Sequence, residues 1–388
     1  MNKPFYTDLI NETLICARCG YCRVDCPIHK VIGWESSSPR ARIKIVKDML
    51  DKDKAFSKHE IERIFQCTLC GKCRDVCATD IDTVRLWTEI RKEIASRKKH
   101  PENLQVLSQS ILESKNITGE DSQSREIWLD SLDDEYKNNI GKPSKLLYYP
   151  GCTSSLFPIG YKIPQSFVQI LKIANVDFSL LGKMEQCCGF PLICSGEFDQ
   201  CEELITANVE NIKHLGVEEV VTTCPSCYNT IKKNWPEVLK RDLPFTVSHV
   251  SQFLDRTIKA GKIELGEFNK RVTYHDPCDL GRNGGIYQEP RSVLNSIPGL
   301  ELVEMEFSRE NANCCGGGGS LESVDAGLSG SIANNRLSEV LKVGAEILVS
   351  SCQQCKRTFH SASRKNKIRI TVLDLTEIVL KSIKNVEK

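Results

Sequence analysis

Cysteines are the residues of this chain with most potential for chemistry, and ten of the twenty fall into a pattern that occurs twice. Each copy has a single cysteine, then an adjacent pair followed by glycine, then a C-x2-C pair. The first five-cysteine set comprises Cys152, Cys187, Cys188, Cys224 and Cys227. The second five-cysteine set comprises Cys278, Cys314, Cys315, Cys352 and Cys355.

The adjacent cysteines favour a multi-iron cluster, because neighbouring side chains diverge and rarely reach one mononuclear metal. Five thiolates exceed the four that a cubane cluster requires. Gly189 and Gly316 follow the two pairs, and we expect them to let the backbone approach a cofactor. The glycine run 316–319 can donate N–H groups to sulfur. A phosphate-binding loop is the alternative for these glycines, but the run lacks the G-x-G-x-x-G spacing.

Eight further cysteines form two runs with the spacing C-x2-C-x2-C-x3-C, which is typical of a pair of [4Fe-4S] cubanes. In this pattern the fourth cysteine of each run ligates the other cluster. We therefore assign Cys16, Cys19, Cys22 and Cys77 to the first cubane. The second cubane takes Cys67, Cys70, Cys73 and Cys26. Zinc is the alternative, since it also binds C-x2-C pairs. Cys194 and Cys201 match no motif, and we expect buried free thiols there.

The elements that position these cysteines can be read from apolar spacing. Residues 39–65 and the segment from Val84 to Ile94 have helical spacing, so residues 1–95 are predicted to be a mainly α-helical, ferredoxin-like domain. Residues 96–143 are a polar linker with scattered apolar positions, to which we assign no chemistry.

The remaining chain repeats itself at a displacement of about 126–128 residues, so we expect two similar domains, 144–262 and 263–388. Alternating strands and helices predict a parallel sheet of Rossmann-like α/β type in each. The predicted strands are 145–149, 178–181, 219–223, 245–250, 272–275, 300–305, 347–350 and 368–373. The predicted helices are 163–173, 197–214 and 334–341. The cysteines then lie where strands end, which is where open α/β sheets bind ligands.

Net charge and apolar segments indicate which partners and which cellular location to expect. A formal charge of +1 gives no electrostatic case for nucleic acid or an anionic membrane as a partner. Residues 1–10 lack the apolar core of a secretory signal, and no apolar run approaches the roughly eighteen residues of a membrane span. We therefore expect a cytoplasmic chain, peripheral on the inner face of the membrane only through another protein of its complex. In that compartment cysteines are metal ligands rather than disulfides.

Taken together, the motifs resemble the family formed by the D subunit of heterodisulfide reductase, a fusion equivalent to the C and B subunits of the soluble enzyme. The likeness rests on the eighteen motif cysteines and on short segments that accompany them. These segments are Leu86-Trp87, Ser248-His249 with Phe253-Leu254, Tyr274-His275-Asp276-Pro277-Cys278 with Leu280-Gly281-Arg282, and Val303-Glu304-Met305 leading to Glu310-Asn311.

The resemblance implies that each five-cysteine set holds a non-cubane [4Fe-4S] cluster. It further implies that a disulfide such as the coenzyme M–coenzyme B heterodisulfide docks between the two sets. Two one-electron steps, fed by the cubanes, would cleave or form the S–S bond. His275 and His249 match the family and are candidates for proton transfer or for structural hydrogen bonds. Asp279 departs from the family, where we expect histidine, and this affects which disulfide is bound.

A different function class fits the same cofactors. The chain also resembles electron-transfer proteins that link a flavin dehydrogenase of the glycerol-3-phosphate, lactate or glycolate type to a membrane quinone-like carrier. The completeness of both five-cysteine sets favours the disulfide oxidoreductase. On either interpretation the electron donor is a separate polypeptide of the complex, either a flavin-containing bifurcating protein or a membrane cytochrome b.

Overall fold

The computed structural model describes residues 4–52 and 55–384, and within them the side chains of residues 9–50 and 55–384. The expectation that residues 1–10 lack a secretory signal falls mostly on side chains outside those described. In the described ranges, every helix is too short or too polar to cross a lipid bilayer.

The N-terminal part is helical, as its apolar spacing predicted. The helix Lys58–Phe65 begins at Ser57, whose side chain accepts from the N–H of Glu60 while the Glu60 carboxylate accepts from the N–H of Ser57. Val46, Phe65 and Trp87 are buried together at the centre. The helices are Pro4–Ile15, Tyr21–Val24, Pro27–Ile32, Pro39–Lys52, Lys58–Phe65, Lys72–Asp75 and Thr83–Ser96.

The polar linker lies on the rest of the protein rather than apart from it. It contains the helix Glu102–Ser114 and two 3-10 segments, Ser122–Leu129 and Asp134–Asn139. Ile111 and Trp128 are buried in the core clusters of the repeated domains. The scattered apolar residues of the linker therefore anchor it to the surface of those domains.

Each repeated domain contains a four-stranded parallel sheet, which confirms the predicted sheet type. The first sheet has the order β2-β1-β3-β4 and the second has the order β6-β5-β7-β8. The strands are β1 Leu146–Tyr149, β2 Ser179–Leu180, β3 Glu219–Thr222, β4 Thr246–His249, β5 Arg271–His275, β6 Glu301–Leu302, β7 Ile347–Ser350 and β8 Thr371–Asp374.

The differences from the predicted elements are mainly at their ends. The edge strands β2 and β6 have only two residues each, so the predicted strands 178–181 and 300–305 were too long. The predicted helix 197–214 begins with a 3-10 turn, Phe198–Cys201, before Glu202–His214. An edge strand pairs on one side only, so its apolar residues need not extend its ladder.

The helices of the repeated domains cover both faces of the sheets. In the first domain they are Cys152–Leu156, Lys162–Ile173, Phe190–Ser195, Glu202–His214, Pro225–Asn229, Trp235–Leu239 and Val250–Lys259. In the second they are Gln288–Asn295, Leu321–Val324, Ala326–Lys342, Gln353–Lys365 and Leu375–Ser382.

The two repeated domains share one apolar core and pack face to face. Lys162–Ile173 of the first packs against Leu375–Ser382 of the second, and Val250–Lys259 packs against Gln288–Asn295. Each contact pairs the helix after a central strand of one domain with the helix after the last strand of the other. The domains are therefore related by an approximate twofold axis, which brings equivalent strand ends opposite each other.

Arg91 ties the helical domain to both repeated domains. Its guanidinium is fully buried and donates to five carbonyl oxygens. Three belong to the helical domain, and one each belongs to Cys194 of the first repeated domain and Gly319 of the second. The three parts of the chain are thus joined at a single side chain.

Candidate functional site

A cavity of about 200 Å³ lies between the two repeated domains, and nine of the ten cysteines of the five-cysteine sets line it. The tenth, Cys314, faces the helical domain, where its thiol is hydrogen-bonded to that of Cys70. Because β1, β3, β5 and β7 end on the same side, the loops after them converge on this cavity. Both sets are thereby brought to one enclosed space.

Within the first set the thiols lie next to one another. Cys152 is beside Cys187, Cys187 is beside Cys188, and Cys188 is beside Cys227. The link between Cys224 and Cys227 completes the set. Five sulfur atoms from three separate loops are therefore neighbours.

The second set repeats the arrangement. Cys278 contacts Cys314, and Cys315 contacts both Cys314 and Cys355. The sulfur atoms of Cys355 and Cys315 are 3.2 Å apart. Backbone N–H groups also point at sulfur, from Gly316 to Cys314 at 3.3 Å and from Gly317 to Cys315 at 3.4 Å.

The two glycines after the cysteine pairs matter for their backbone conformation. Gly189 has a φ of 96° and Gly316 a φ of 88°, in the left-handed region that L-residues avoid. A Cβ atom on Gly189 would lie 3.1 Å from the sulfur of Cys201, and one on Gly316 would lie 2.5 Å from the carbonyl oxygen of Ser329. Both glycines thus sit close to neighbouring chain, while the proposed contact with a cofactor stays a prediction.

Contacts between neighbouring thiols shift the pKa values of several cysteines in both sets. Hydrogen bonds from Cys187 and Cys227 lower the pKa of Cys188 to about 6, and hydrogen bonds from Cys314 and Cys355 lower the pKa of Cys315 to about 5. Donation to these thiolates raises the pKa of Cys227 and of Cys355 well above its ordinary value. In each set a readily ionised thiol therefore lies beside one that keeps its proton unless positive charge is added. Buried thiols that face one cavity and need a cationic group fit an iron–sulfur cluster.

The fourth cysteine of each cubane run lies near cysteines of the other run. Burial, and then Cys16, Cys26, Cys19 and Cys77, raise the pKa of Cys22 to about 11. Burial, and then Cys67, Cys70 and Cys26 among its neighbours, raise the pKa of Cys73. Cys26 is therefore near both runs and Cys77 is near Cys22, and the exchange of fourth ligands stays a prediction.

The surroundings of the two runs differ. Cys19 is exposed, whereas Cys26, Cys67 and Cys70 are buried. The second run also touches the second repeated domain, where Arg282 donates to the carbonyl oxygen of Cys70 at 2.7 Å. Cys19 of the first run is therefore in contact with solvent, whereas Cys70 of the second run lies beside the second repeated domain.

His275 and His249 occupy different positions. His275 lies beside the second set, with ligand atoms of His275, Cys315 and Cys355 within 4.8 Å of one another. Its Nδ1 accepts from Arg336, so its Nε2 carries the proton, and burial lowers its pKa far below the usual value. His249 does not line the cavity, and its Nδ1 accepts from the N–H of Ser251 at the start of a helix. A proton-transfer role therefore stays a prediction for His275, while His249 has the geometry of a helix cap.

Asp279 lines the cavity and joins the two repeated domains. Its Oδ2 accepts from the hydroxyl of Ser226, between Cys224 and Cys227, at 2.6 Å, and its Oδ1 accepts from the side chain of Asn283. Gln353 makes the opposite contact, donating from the second domain to Pro150 and Thr223 of the first. In the sequence, Gln353 was noticeable only as one of the two residues between Cys352 and Cys355.

Sequence reasoning missed Arg125 and Glu185. Arg125 comes from the linker, to which no chemistry was assigned, yet its Nη2 donates to the sulfur of Cys152 at 3.1 Å. Its Nη1 donates to the carboxylate of Glu185 at 2.8 Å. The apolar run Ile127-Trp128-Leu129 after Arg125 is the available signal, since it predicts burial of this stretch.

Comparisons with known proteins agree with these sites. Residues 146–232 and 272–360 match the family described as the cysteine-rich domain, and residues 12–81 match the 4Fe-4S dicluster domain. The D subunit of dihydromethanophenazine:CoB–CoM heterodisulfide reductase from Methanosarcina barkeri is 32% identical, over 95% of this chain and 93% of its own. The chain belongs to the family of this heterodisulfide reductase component. The predicted resemblance is thereby confirmed.

Other relatives of this heterodisulfide reductase family member are more distant. The B subunit of the CoM/CoB fumarate reductase from Methanothermobacter marburgensis is 28% identical, over 94% of this chain and 71% of its own. The probable iron-sulfur-binding oxidoreductase FadF of Bacillus subtilis is 29% identical, over 83% of this chain and 47% of its own. The chain is therefore an iron–sulfur oxidoreductase with one 4Fe-4S dicluster domain and two cysteine-rich domains.

Proposed function

We propose that the chain is the iron–sulfur catalytic component of a heterodisulfide reductase-like complex and that it cleaves or forms a small disulfide in the cavity between its repeated domains. The observation that carries this proposal is the convergence of both five-cysteine sets, because nine of their ten cysteines line one cavity. A chain that only relays electrons has no need for two equivalent sets facing a shared space. Cleavage of an S–S bond yields two thiolates, which two facing half-sites can accept separately.

The proposed cofactors are two cubane [4Fe-4S] clusters on the N-terminal runs and two non-cubane [4Fe-4S] clusters on the five-cysteine sets. When bound, these groups supply one-electron reduction and iron sites that accept thiolate. Gln353 and Asp279 both form hydrogen bonds between the two repeated domains, which fixes the separation between the half-sites.

The substrate is proposed to be a disulfide of two small thiols, such as the coenzyme M–coenzyme B heterodisulfide. The charged side chains lining the cavity are Asp279, Glu322 and Arg357. Arg357 is paired with Glu322, and it also lies 4.7 Å from the centre of the Phe157 ring. The charged groups of the cavity are thus a carboxylate that accepts from Ser226 and a separate Arg357–Glu322 pair. Unlike polar groups in one cavity suit a disulfide with unlike halves.

The electron donor is proposed to be a separate polypeptide, a flavin-containing bifurcating protein or a cytochrome b, that docks over the first cubane run. Five large apolar side chains are exposed around that run, and these are Leu14, Ile15, Tyr21, Val24 and Trp34. Trp34 is 74% exposed. Exposed apolar residues beside an exposed ligand, Cys19, suit a protein contact through which electrons enter.

Two measurements on anaerobically prepared protein test the proposal. Iron analysis should give about sixteen iron atoms per chain, and a value near eight, or zinc, would contradict the four clusters. Adding one coenzyme thiol to oxidised protein should produce a new paramagnetic signal by EPR. A full iron content without any thiol-dependent signal would instead support a pure electron-transfer role.

A further inference from the structure

Arg125 brings a positive charge into direct contact with the first five-cysteine set. Its side chain is 2% exposed, and its Nη2 donates to the sulfur of Cys152 at 3.1 Å. Further donations go to the hydroxyl of Ser155 and the carbonyl oxygen of Lys115. These contacts hold the guanidinium in one orientation, with one N–H edge on the cysteine sulfur.

Glu185 shares the guanidinium with Cys152. The Glu185 side chain is 4% exposed, and its Oε1 accepts from Arg125 at 2.8 Å and from the N–H of Gly151 at 3.1 Å. Burial opposes the charge on Arg125, but Cys152 and Glu185 together keep its pKa above the ordinary value. A charged guanidinium and a carboxylate are thus fixed beside the first set, with the positive end on the sulfur.

The second set has different hydrogen-bond donors. Its sulfur atoms accept from backbone N–H groups of Gly316, Gly317 and Cys355. The arginines nearby donate elsewhere, Arg336 to His275 and Arg282 to carbonyl oxygens. Among side chains of residues 9–50 and 55–384, no lysine or arginine donates to a sulfur of the second set.

We propose that Arg125 is a positioning residue that raises the reduction potential of the cluster on the first five-cysteine set. A one-electron reduction adds negative charge to the cluster and its thiolates, and a cationic donor on a ligand sulfur stabilises the reduced form. The inference rests on the proposed presence of a cluster in the first set, but not on the identity of the substrate.

The test uses the full-length chain, anaerobically reconstituted with iron and sulfide, in potentiometric measurements followed by EPR with dithionite as the reductant. In R125Q one resolved component should move to lower potential, with at least a tenfold lower ratio of reduced to oxidised form at the wild-type midpoint, or about 59 mV for one electron. E185Q keeps an oxygen that can accept from Arg125, so the same component should stay closer to wild type than in R125Q.

Two further variants complete the design. R125K keeps the charge and should stay closer to wild type than R125Q does. R256Q breaks the Arg256–Glu219 ion pair of the same repeated domain, where the arginine is 46% exposed and no cysteine is involved, and it should shift no component.

No shift in R125Q at unchanged iron content, or a shift in R125K as large as that in R125Q, would overturn the inference. If R125Q loses iron, R125K still decides, because a tenfold or larger change in its ratio of reduced to oxidised form at the wild-type midpoint, with the positive charge retained, would contradict the inference. Wild-type protein without iron in the first set would overturn both this inference and the proposed clusters. Fully loaded protein without a thiol-dependent signal would contradict only the disulfide chemistry.

Discussion

The two repeated domains have the same strand order and the same five cysteines, yet they hold those cysteines in different surroundings. The first set has a charged arginine on one sulfur. The second set has backbone donors, a neutral histidine beside it, and a direct thiol contact with Cys70 of the second cubane run. The fold supplies two equivalent half-sites, and the residues around them make the halves unequal.

The largest expected effect comes from removing the thiol that ionises most readily in each set. Cys188→Ser should lose the iron of the first set and Cys315→Ser that of the second, about four iron atoms in each case. Either change should lower disulfide reduction at least about 100-fold, since both half-sites are required. Iron analysis and initial rates measure the two effects.

Cys201→Ser is the matched control, because Cys201 is buried but belongs to no motif. It should retain all iron. Loss of iron from both sets in a single-cysteine variant would show that the two halves do not load independently.

A smaller effect is expected at Gly151, which corresponds to Pro277 in the second domain. Gly151 has a φ of 78°, and a Cβ atom there would lie 2.9 Å from the sulfur of Cys227. Gly151→Ala should therefore displace Cys227 and weaken iron binding in the first set only, as iron analysis at rising chelator concentration would show. Gly216→Ala is the control, because its φ is 69° with nothing within 4 Å. The Gly216→Ala variant should lose only about 1–2 kcal/mol of stability, from backbone strain. Equal iron loss in both variants would show that a clash with Cys227 is not the cause.

The smallest expected effect concerns two equivalent helix caps at the ends of β4 and β8. Burial lowers the pKa of His249 to about 3 and raises the pKa of Asp374 to about 7. Neutral His249 stabilises the fold above its unfolded pKa of about 6.5, and this contribution falls as the pH falls towards 3. Protonated Asp374 stabilises the fold below its unfolded pKa of about 3.9, and this contribution falls as the pH rises towards 7.

Between pH 5 and 6.5 the two contributions to the free energy of unfolding change in opposite directions, each by up to about 2 kcal/mol over that interval. His249→Asn should leave a free energy of unfolding that falls as the pH rises, and Asp374→Asn one that rises with pH. Denaturant unfolding followed by circular dichroism measures both. If the free energy of unfolding changed with pH in the same way in both variants, the expected difference between the two caps would be contradicted.

The features that depend on residue spacing, namely the internal repeat and the central strands, could be predicted from the sequence. The cysteine pattern indicated the repeat, and the apolar runs before Cys152, Cys224, Cys278 and Cys352 indicated the central strands. Edge strands were overestimated because Phe178 and Met305 are buried by packing without joining a ladder. Spacing along the chain could not predict that Arg125 reaches Cys152, because that contact depends on how the linker crosses the first domain.

The five carbonyl oxygens around Arg91 belong to three parts of the chain, and the guanidinium is satisfied only when all three are in place. A buried cation without partners is strongly destabilising. Separating the helical domain from either repeated domain would therefore exchange one of these buried hydrogen bonds for one to water. In a relative that divides these parts between two polypeptides, an arginine in this position would place hydrogen bonds across their interface.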